Sequence, residues 1–492
     1  MNNKEIQQKI NDIYTDEDEK EEEEKVLEED DFKGYSTIAK YKLFGLFFCL
    51  GIFNHLGTIL VMTGGRLLAY ELQMRDYVPL YTSSSTIFSI ITRLINSKLF
   101  LKVSYKKRIY FLCFWIMAGY FTMFLVLQLH DTILSKYNAL CFVLSFIPCF
   151  FLGSSYAFGE SAIIAYLRLF PKTLIAGWSS GTGLSSIISG LLNFISQLND
   201  GFSLKYLYLV LTPCGPLYLF IFLLTFHIYE SRDRANDVDV NLSLPLTPYE
   251  NSKDKDNEGK ANIAEFEDNN NANGELEEKE REEKEMEKMN KSNKIMNFEN
   301  LMVVMRMCGE VIINLGIIYF FQFFCTSCLL VRVCQKVDIK FLPKGCSSNH
   351  HTYRKGKYEF INIFFQVGIF TAKTFIKLVR KIQPIEIFTG AILIVNIILI
   401  TEYYKGYIHW GNFIWIMFIH GFFGGGTYSG GFYTILNSEK VNENYKELTV
   451  NVATLFNDVG TFLSGIAGLI ALKYWLDNEM PFPGEKIYPV DC

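Results

Sequence analysis

The chain has 492 residues, half of them hydrophobic and 15% aromatic, with 47 basic and 52 acidic side chains for a net charge of -5. The acids are unevenly placed: residues 1–35 hold 14 and residues 231–300 hold 19, against 5 and 11 bases, so the remaining 387 residues carry a net charge of about +12. That distribution excludes a soluble enzyme with an evenly charged surface and points to a membrane protein with acidic appendages.

Residues 1–38 read as a disordered acidic cytosolic tail, since Glu21 to Glu24 and Glu28 to Asp31 leave too little apolar surface to offset the entropy of ordering them. Residues 1–35 lack a basic start, a short apolar core and a small-residue cleavage site, so the first span itself is expected to direct insertion. A crossing helix needs roughly 20 apolar residues. Windows that meet this are 41–63, 79–101, 108–128, 138–158, 173–197, 204–228, 302–325, 358–379, 384–404, 408–436 and 448–475. The second is the weakest, being interrupted by Arg93 and Lys98.

The expected organisation is therefore a tail at 1–38, a six-helix half at 39–229, an acidic disordered cytosolic linker at 230–300, a second transmembrane half at 301–476 and a short tail at 477–492. With the N-terminus in the cytosol, most short basic connections fall on that side, as the positive-inside rule requires. Eleven crossings then put the C-terminal tail on the opposite side. Within the linker, residues 281–291 mix Glu and Lys in the manner of a solvated helix, and the Asn241-Leu242-Ser243 sequon is expected to stay unglycosylated. The linker lacks the basic patch that nucleic acid demands. Tail and linker are either docking segments for trafficking partners or inert tethers.

The basic loop after the second span, with Lys106, Lys107 and Arg108, recurs after the second span of the other half, with Lys373 and Arg380. These five are candidate cytosolic gate residues. A basic loop at the same place in two halves joined by a long linker fits an all-α membrane protein of about eleven helices in two pseudo-symmetric halves, the major-facilitator arrangement. Glycine runs stand at Trp178 to Gly183 and at Gly424, Gly425 and Gly426. They mark either close helix packing or a hinge, or backbone exposed to a substrate path.

Ionisable side chains inside spans are costly, so they face a cavity or a partner. His55, Arg93, His420 and Asp458 sit well inside their windows, and Glu160 and Lys373 lie nearer the ends. Two roles are open to Arg93. Its guanidinium can hold a phosphate or carboxylate bidentately, or it forms a structural ion pair with Glu160 or Asp458. His55 and His420 are either proton sites or hydrogen-bonded packing residues, and Asp458 is either a proton site or a structural acceptor. Cys325, Cys328, Cys334 and Cys346 cluster around a loop that the topology makes luminal, where a disulfide is permitted. A zinc site from Cys334, Cys346, His350 and His351 fits no common spacing. No P-loop, His-Glu-x-x-His or Gly-x-Ser-x-Gly motif is present, so neither an enzyme nor a cofactor or metal is expected.

Leu50 to His55, Ser84 to Thr86, Gly159-Glu160, Phe170 to Lys172, Trp178 to Gly183, Phe365 to Phe370, Gly424 to Tyr428, and Asp458 ahead of Leu463 to Gly465 together resemble the battenin family of lysosomal and vacuolar membrane proteins. The resemblance covers about 40–230 and 300–475. It implies a major-facilitator-like fold in the membrane of an acidic organelle, with export of glycerophosphodiesters, basic amino-acid and pH balance, or membrane trafficking as the family's roles. It adds Gln322, Gln366 and Tyr428 to the substrate and proton path of His55, Arg93, Glu160, His420 and Asp458. The chain departs from the family where Arg93 replaces a usually acidic residue, where His420 replaces Glu and where Ile317 is apolar. Cys492 is the last residue, so the prenylation box of some relatives, which needs Cys four from the end, is not expected. The expected function is secondary transport of a small anionic or zwitterionic solute by alternating access, with a non-transporting trafficking scaffold as the alternative.

Overall fold

A computed structural model describes residues 37–99, 105–134, 136–167, 170–171, 173–198, 203–243, 298–336, 344–345, 353–354, 356–380, 386–438 and 440–476. Most of the expected tail and linker, the tail 477–492, and Cys346, His350 and His351 lie outside the described residues.

The first half contains α1 (Thr37–Glu71), α2 (Val78–Leu99), α3 (Tyr105–Thr132), the collinear pair α4 (Asn138–Leu144) and α5 (Phe146–Leu167), α6 (Leu174–Leu198), and the pair α7 (Leu204–Leu211) and α8 (Cys214–Ser243). The second contains α9 (Phe298–Phe324), continued by a π-helical turn (Cys325–Leu329) into α10 (Leu330–Lys336), then α11 (Lys357–Thr374), the short α12 (Ile376–Arg380), α13 (Glu386–Lys405), α14 (Trp410–Asn437) and α15 (Glu443–Tyr474). A two-stranded hairpin, β1 (Lys344–Gly345) and β2 (Tyr353–Arg354), precedes α11. Each expected window falls on one of these rods. The side where α1 begins is called the near side below, and the other the far side.

Local chemistry explains the breaks. Pro213 cannot donate a backbone hydrogen bond and separates α7 from α8. Gly406, at φ +65°, closes α13 in the left-handed conformation while its N–H donates to the Glu402 carbonyl. The Glu402 carboxylate accepts from the N–H groups of Tyr407 and Ile408, 2.9 Å each, and so satisfies the turn that follows.

Helix pairing repeats between the halves. First packs on fifth (α1 on α6, α9 on α15) and second on fourth (α2 on α5, α11 on α14). The halves then meet reciprocally, α6 against α11 and α2 against α15. The sixth span of the first half, α7–α8, lies on α1 and α3 and has no counterpart among the described residues of the second half. Small residues make the tight pairs possible. A Cβ on Gly181 would stand 2.0 Å from the Phe48 carbonyl oxygen on α1, and one on Gly421 1.9 Å from that of Phe365 on α11. Gly183 lies against Phe370 across the α6–α11 seam, Gly425 against the Ile369 carbonyl and Gly426 against Phe388, while Trp178 is buried beside His55. The glycine runs therefore serve close packing, and Gly424 and Gly425 also line the central cavity.

Seven rods are long and apolar enough to cross a membrane on composition alone, at 38–71, 106–132, 138–164, 204–229, 298–334, 386–405 and 448–474. The four that are not are α2, α6, α11 and α14. Three of these form the seams between the halves and the fourth packs on α11. Neighbouring helices shield them from lipid, so their polar faces carry no hydrocarbon penalty.

Candidate functional site

Between the halves lies a cavity of about 70 Å³ lined from both, including His55 of α1, Gln322 of α9, Gln366 and Lys373 of α11, Tyr428 of α14 and Asp458 of α15. At roughly 15 Å³ per water it holds about five waters.

The near wall is built by Arg93, six residues from the near end of α2 and therefore about 9 Å deep. The face of α2 that carries it is rich in hydroxyls, which return their hydrogen bonds to helix carbonyls. Thr86 donates to the Thr82 carbonyl, and Ser89 to the carbonyls of Ser85 and of Gly153 on α5. The Arg93 guanidinium donates through Nε to Asp458 Oδ2 at 2.7 Å and through Nη2 to Glu160 Oε2 at 2.5 Å, and it stands 5.4 Å over the Tyr156 ring. Glu160 Oε1 accepts from the Tyr428 hydroxyl at 2.7 Å. Arg93 is thus held by both carboxylates that the sequence offered as partners. The cluster ties α2 and α5 to α14 and α15, across the boundary between halves. Removing one member of such a buried set leaves an uncompensated charge, at a cost of about 3–5 kcal/mol.

Lys373 differs. Its Nζ donates to Thr182 Oγ1 on α6 at 3.1 Å and stands 4.2 Å over the Tyr428 ring. No carboxylate of the described residues lies within ion-pair distance of it. Of the other basic-loop residues, Lys106 lies 4.3 Å over Phe226 of its own half, Lys107 is exposed, Arg108 is buried, and the Arg380 side chain lies outside the described residues. Of the four whose side chains are described, Lys373 alone reaches the cavity.

His55 lines the cavity edge-on to Tyr156 and Trp178, at 4.7 and 5.9 Å. His420 does not line it. That side chain is fully buried against Phe365, and neither ring nitrogen has a hydrogen-bond partner. Gln322 and Gln366 both line the cavity, Gln322 against Gly424 of α14 and Gln366 donating to Asn362 Oδ1 of its own helix at 3.5 Å. Cys325, Cys328 and Cys334 are free thiols buried in the π turn and α10, so they belong to helix rather than to a loop.

The far wall holds a pair that the sequence windows missed. Arg66, near the far end of α1, donates to both oxygens of Glu359 on α11 at 3.1 and 3.0 Å, with both side chains almost wholly buried. The rings of Tyr70 and Tyr358 each lie 5.3 Å from the guanidinium. The Tyr358 hydroxyl also donates to the Thr326 carbonyl in the π turn, 3.1 Å away. A second, half-exposed pair, Arg332 with Asp76 at 3.6 Å, joins the halves on the same side. Arg66 went unread because the first window ended at 63, whereas α1 continues to Glu71. The signal was present in Arg66 to Leu72, which stays apolar and helix-forming beyond the Gly64-Gly65 pair.

With this geometry in view, comparison with known proteins is informative. The profile of the family described as "CLN3 protein" matches residues 45–477. A curated relative, battenin of Dictyostelium discoideum, is 25% identical over 400 residues, covering 80% of this chain and 85% of its own. Among solved structures, a D-xylose–proton symporter superposes with a TM-score of 0.54 at 12% identity over 89% of this chain and 92% of its own. A POT family transporter bound to a thioalcohol-conjugated peptide gives 0.52 at 12% identity, covering 88% and 91%. The POT family transporter PepTSo gives 0.52 at 10% identity, covering 87% and 90%. At such identities these neighbours speak to the fold alone, and that fold is the major-facilitator type.

Proposed function

The chain belongs to the CLN3 protein family, and from that premise we propose that it is a secondary transporter carrying a small anionic or zwitterionic solute across a lysosome- or vacuole-type membrane by alternating access. The near side is the cytosolic one on this reading, which agrees with the positive-inside distribution of Lys and Arg. Glycerophosphodiesters, as implied by the battenin resemblance, suit the cavity's chemistry, and their removal would serve solute and pH balance of the organelle.

The observation that carries the proposal is Lys373. A buried ammonium placed between the halves and paired only with a hydroxyl and a ring is a poor structural choice, but a good point charge for a phosphate or carboxylate. Gln322, Gln366 and Tyr428 add neutral donors and acceptors around it. The far-side pair Arg66–Glu359 and the near-side cluster around Arg93 act as the two gates, each joining one half to the other. Arg93 is a gate member rather than the solute's ligand, because its Nε and Nη2 meet two carboxylates and its side chain lies off the cavity lining, with the buried Nη1 left without a partner.

The test is uptake of a labelled glycerophosphodiester by the purified full-length protein in proteoliposomes. Lys373→Gln should lower apparent affinity at least ~10-fold, the share of a charge-assisted contact of about 1.5–3 kcal/mol, with abundance unchanged. Equal affinity in Lys373→Gln would remove the anion site, and absence of flux in the wild-type protein would remove the transporter reading for this solute class. Metabolite profiling of organelles with and without the protein would name the natural solute.

A further inference from the structure

Around the near half of the cavity stand two cations, Arg93 and Lys373, and two acids, Glu160 and Asp458. The set is neutral when all four are ionised. The other titratable groups facing the set are His55 of α1, Tyr156 of α5, Tyr319 of α9 and Tyr428 of α14. Binding a monovalent anion at Lys373 gives this water-poor site one uncompensated negative charge, which is costly at such low dielectric. A proton must then be taken up, by one of the acids or by His55, which is wedged edge-on against the Tyr156 and Trp178 rings.

The two acids are not equivalent candidates. Glu160 has both oxygens engaged, Oε1 by the Tyr428 hydroxyl and Oε2 by Arg93, and the side chain is fully buried off the cavity lining. Asp458 spends one oxygen on Arg93 Nε and lines the cavity, so Oδ1 can meet its water. We infer that Asp458 is the proton carrier of this protein and that it moves a monovalent anion with one proton, without net charge. This rests on the transporter reading above.

The proton's path is short. A hydronium arriving through the cavity water from the far, acidic side gives its proton to Asp458 Oδ1: one hydronium O–H bond breaks to leave water, the Oδ1–H bond forms, and the charge lost on Asp458 offsets that of the anion on Lys373. A neutral Asp458 no longer pairs with Arg93, which retains Glu160. The contact tying α2 to α15 is the one that weakens, so anion and proton together open the near gate. On the cytosolic side the anion leaves, Asp458 returns its proton to water and the Arg93 contact re-forms. Either ligand alone leaves the site charged or the gate closed, which is what couples them.

The experiment uses the full-length protein in phosphatidylcholine–phosphatidylglycerol vesicles with a trapped pH dye, a valinomycin-clamped potential and labelled glycerophosphoglycerol as a monoanionic probe. One proton should accompany each probe molecule. Accumulation should be indifferent to a 100 mV potential that would shift an uncompensated monovalent anion roughly 50-fold. Asp458→Asn should abolish proton movement and make any remaining accumulation potential-sensitive. Where Asp458→Asn fails to turn over, binding in weakly buffered detergent gives the answer: one proton taken up per probe bound by the wild type, none by the variant. A wild type that moves the probe electrogenically without protons, or an Asp458→Asn protein still coupled one to one, overturns the inference and leaves the transporter standing. A folded wild type that neither moves nor binds the probe removes the anion-transport reading, and the inference falls with it.

Discussion

The near and far gates solve the same problem, holding two halves together across apolar surroundings, with different charge arithmetic. On the far side one guanidinium meets one carboxylate through two parallel bonds and is flanked by two tyrosine rings. On the near side one guanidinium is shared by two carboxylates on different helices, and the compensating cation stands apart on Lys373. A one-to-one pair opens by being pulled apart, and the cation added on that side is buried Lys357, two residues before Glu359 on the same helix. A divided set can be rebalanced by a solute and a proton, which is why the proposed transport chemistry is placed on the near side.

The largest effect should come from Arg93→Ala, which leaves Glu160 and Asp458 facing each other across the seam without a cation. A loss of about 3–5 kcal/mol should appear as depleted protein and retention before the final organelle, with Arg93→Lys intermediate in thermal stability because charge survives but the fork does not. Normal abundance of Arg93→Ala would show that the shared guanidinium does not hold the seam.

Breaking the far pair should do less to folding, since Tyr358 still bonds the Thr326 carbonyl and Arg332 still meets Asp76. Glu359→Gln is expected to bias the protein toward far-side opening. Labelling of buried Cys334 by a membrane-impermeant thiol reagent from that side should rise several-fold, and the exchange Arg66→Glu with Glu359→Arg should restore protection in part. Unchanged labelling would mean that the pair is not a gate.

The smallest effect is expected at His420. Its two ring nitrogens are buried without partners, so His420→Leu removes unsatisfied polar atoms and should raise thermal stability by up to about 1–3 kcal/mol while leaving the pH profile of flux intact. A flattened profile would return His420 to the proton path and weaken the case for Asp458.

Much of this could be read before any coordinates. The rods follow from length and apolarity, and Arg93, Glu160 and Asp458 stand out because charge inside a span is expensive. The glycine runs announced close packing, and the structure adds which carbonyls they approach. What stayed hidden was pairing at a distance. Arg66 and Glu359 lie at span edges, where a charge raises no alarm, and only the fold joins residues 293 positions apart. The separate position of Lys373 was equally hidden, because in sequence it looks like one more member of a basic loop. His420 shows the reverse error of emphasis: a histidine deep in a span invites a proton role, yet the helix turns it away from the cavity.

The separation between Arg66 and Glu359 also sets a clock for biogenesis. At about 5–20 residues per second, the ribosome needs roughly 15–60 s to make Glu359 after Arg66, and throughout that time α1 resides in the membrane before its acid exists. Near the end of α1 the guanidinium can reach the headgroups and rest against Tyr70. The arrival of α11 must then draw it inward. α11 is not one of the rods long and apolar enough to cross a membrane on composition alone, and Arg66 compensates its Glu359. A nascent chain that stalls in the interval therefore holds its arginine at the bilayer edge without the carboxylate that the finished fold supplies.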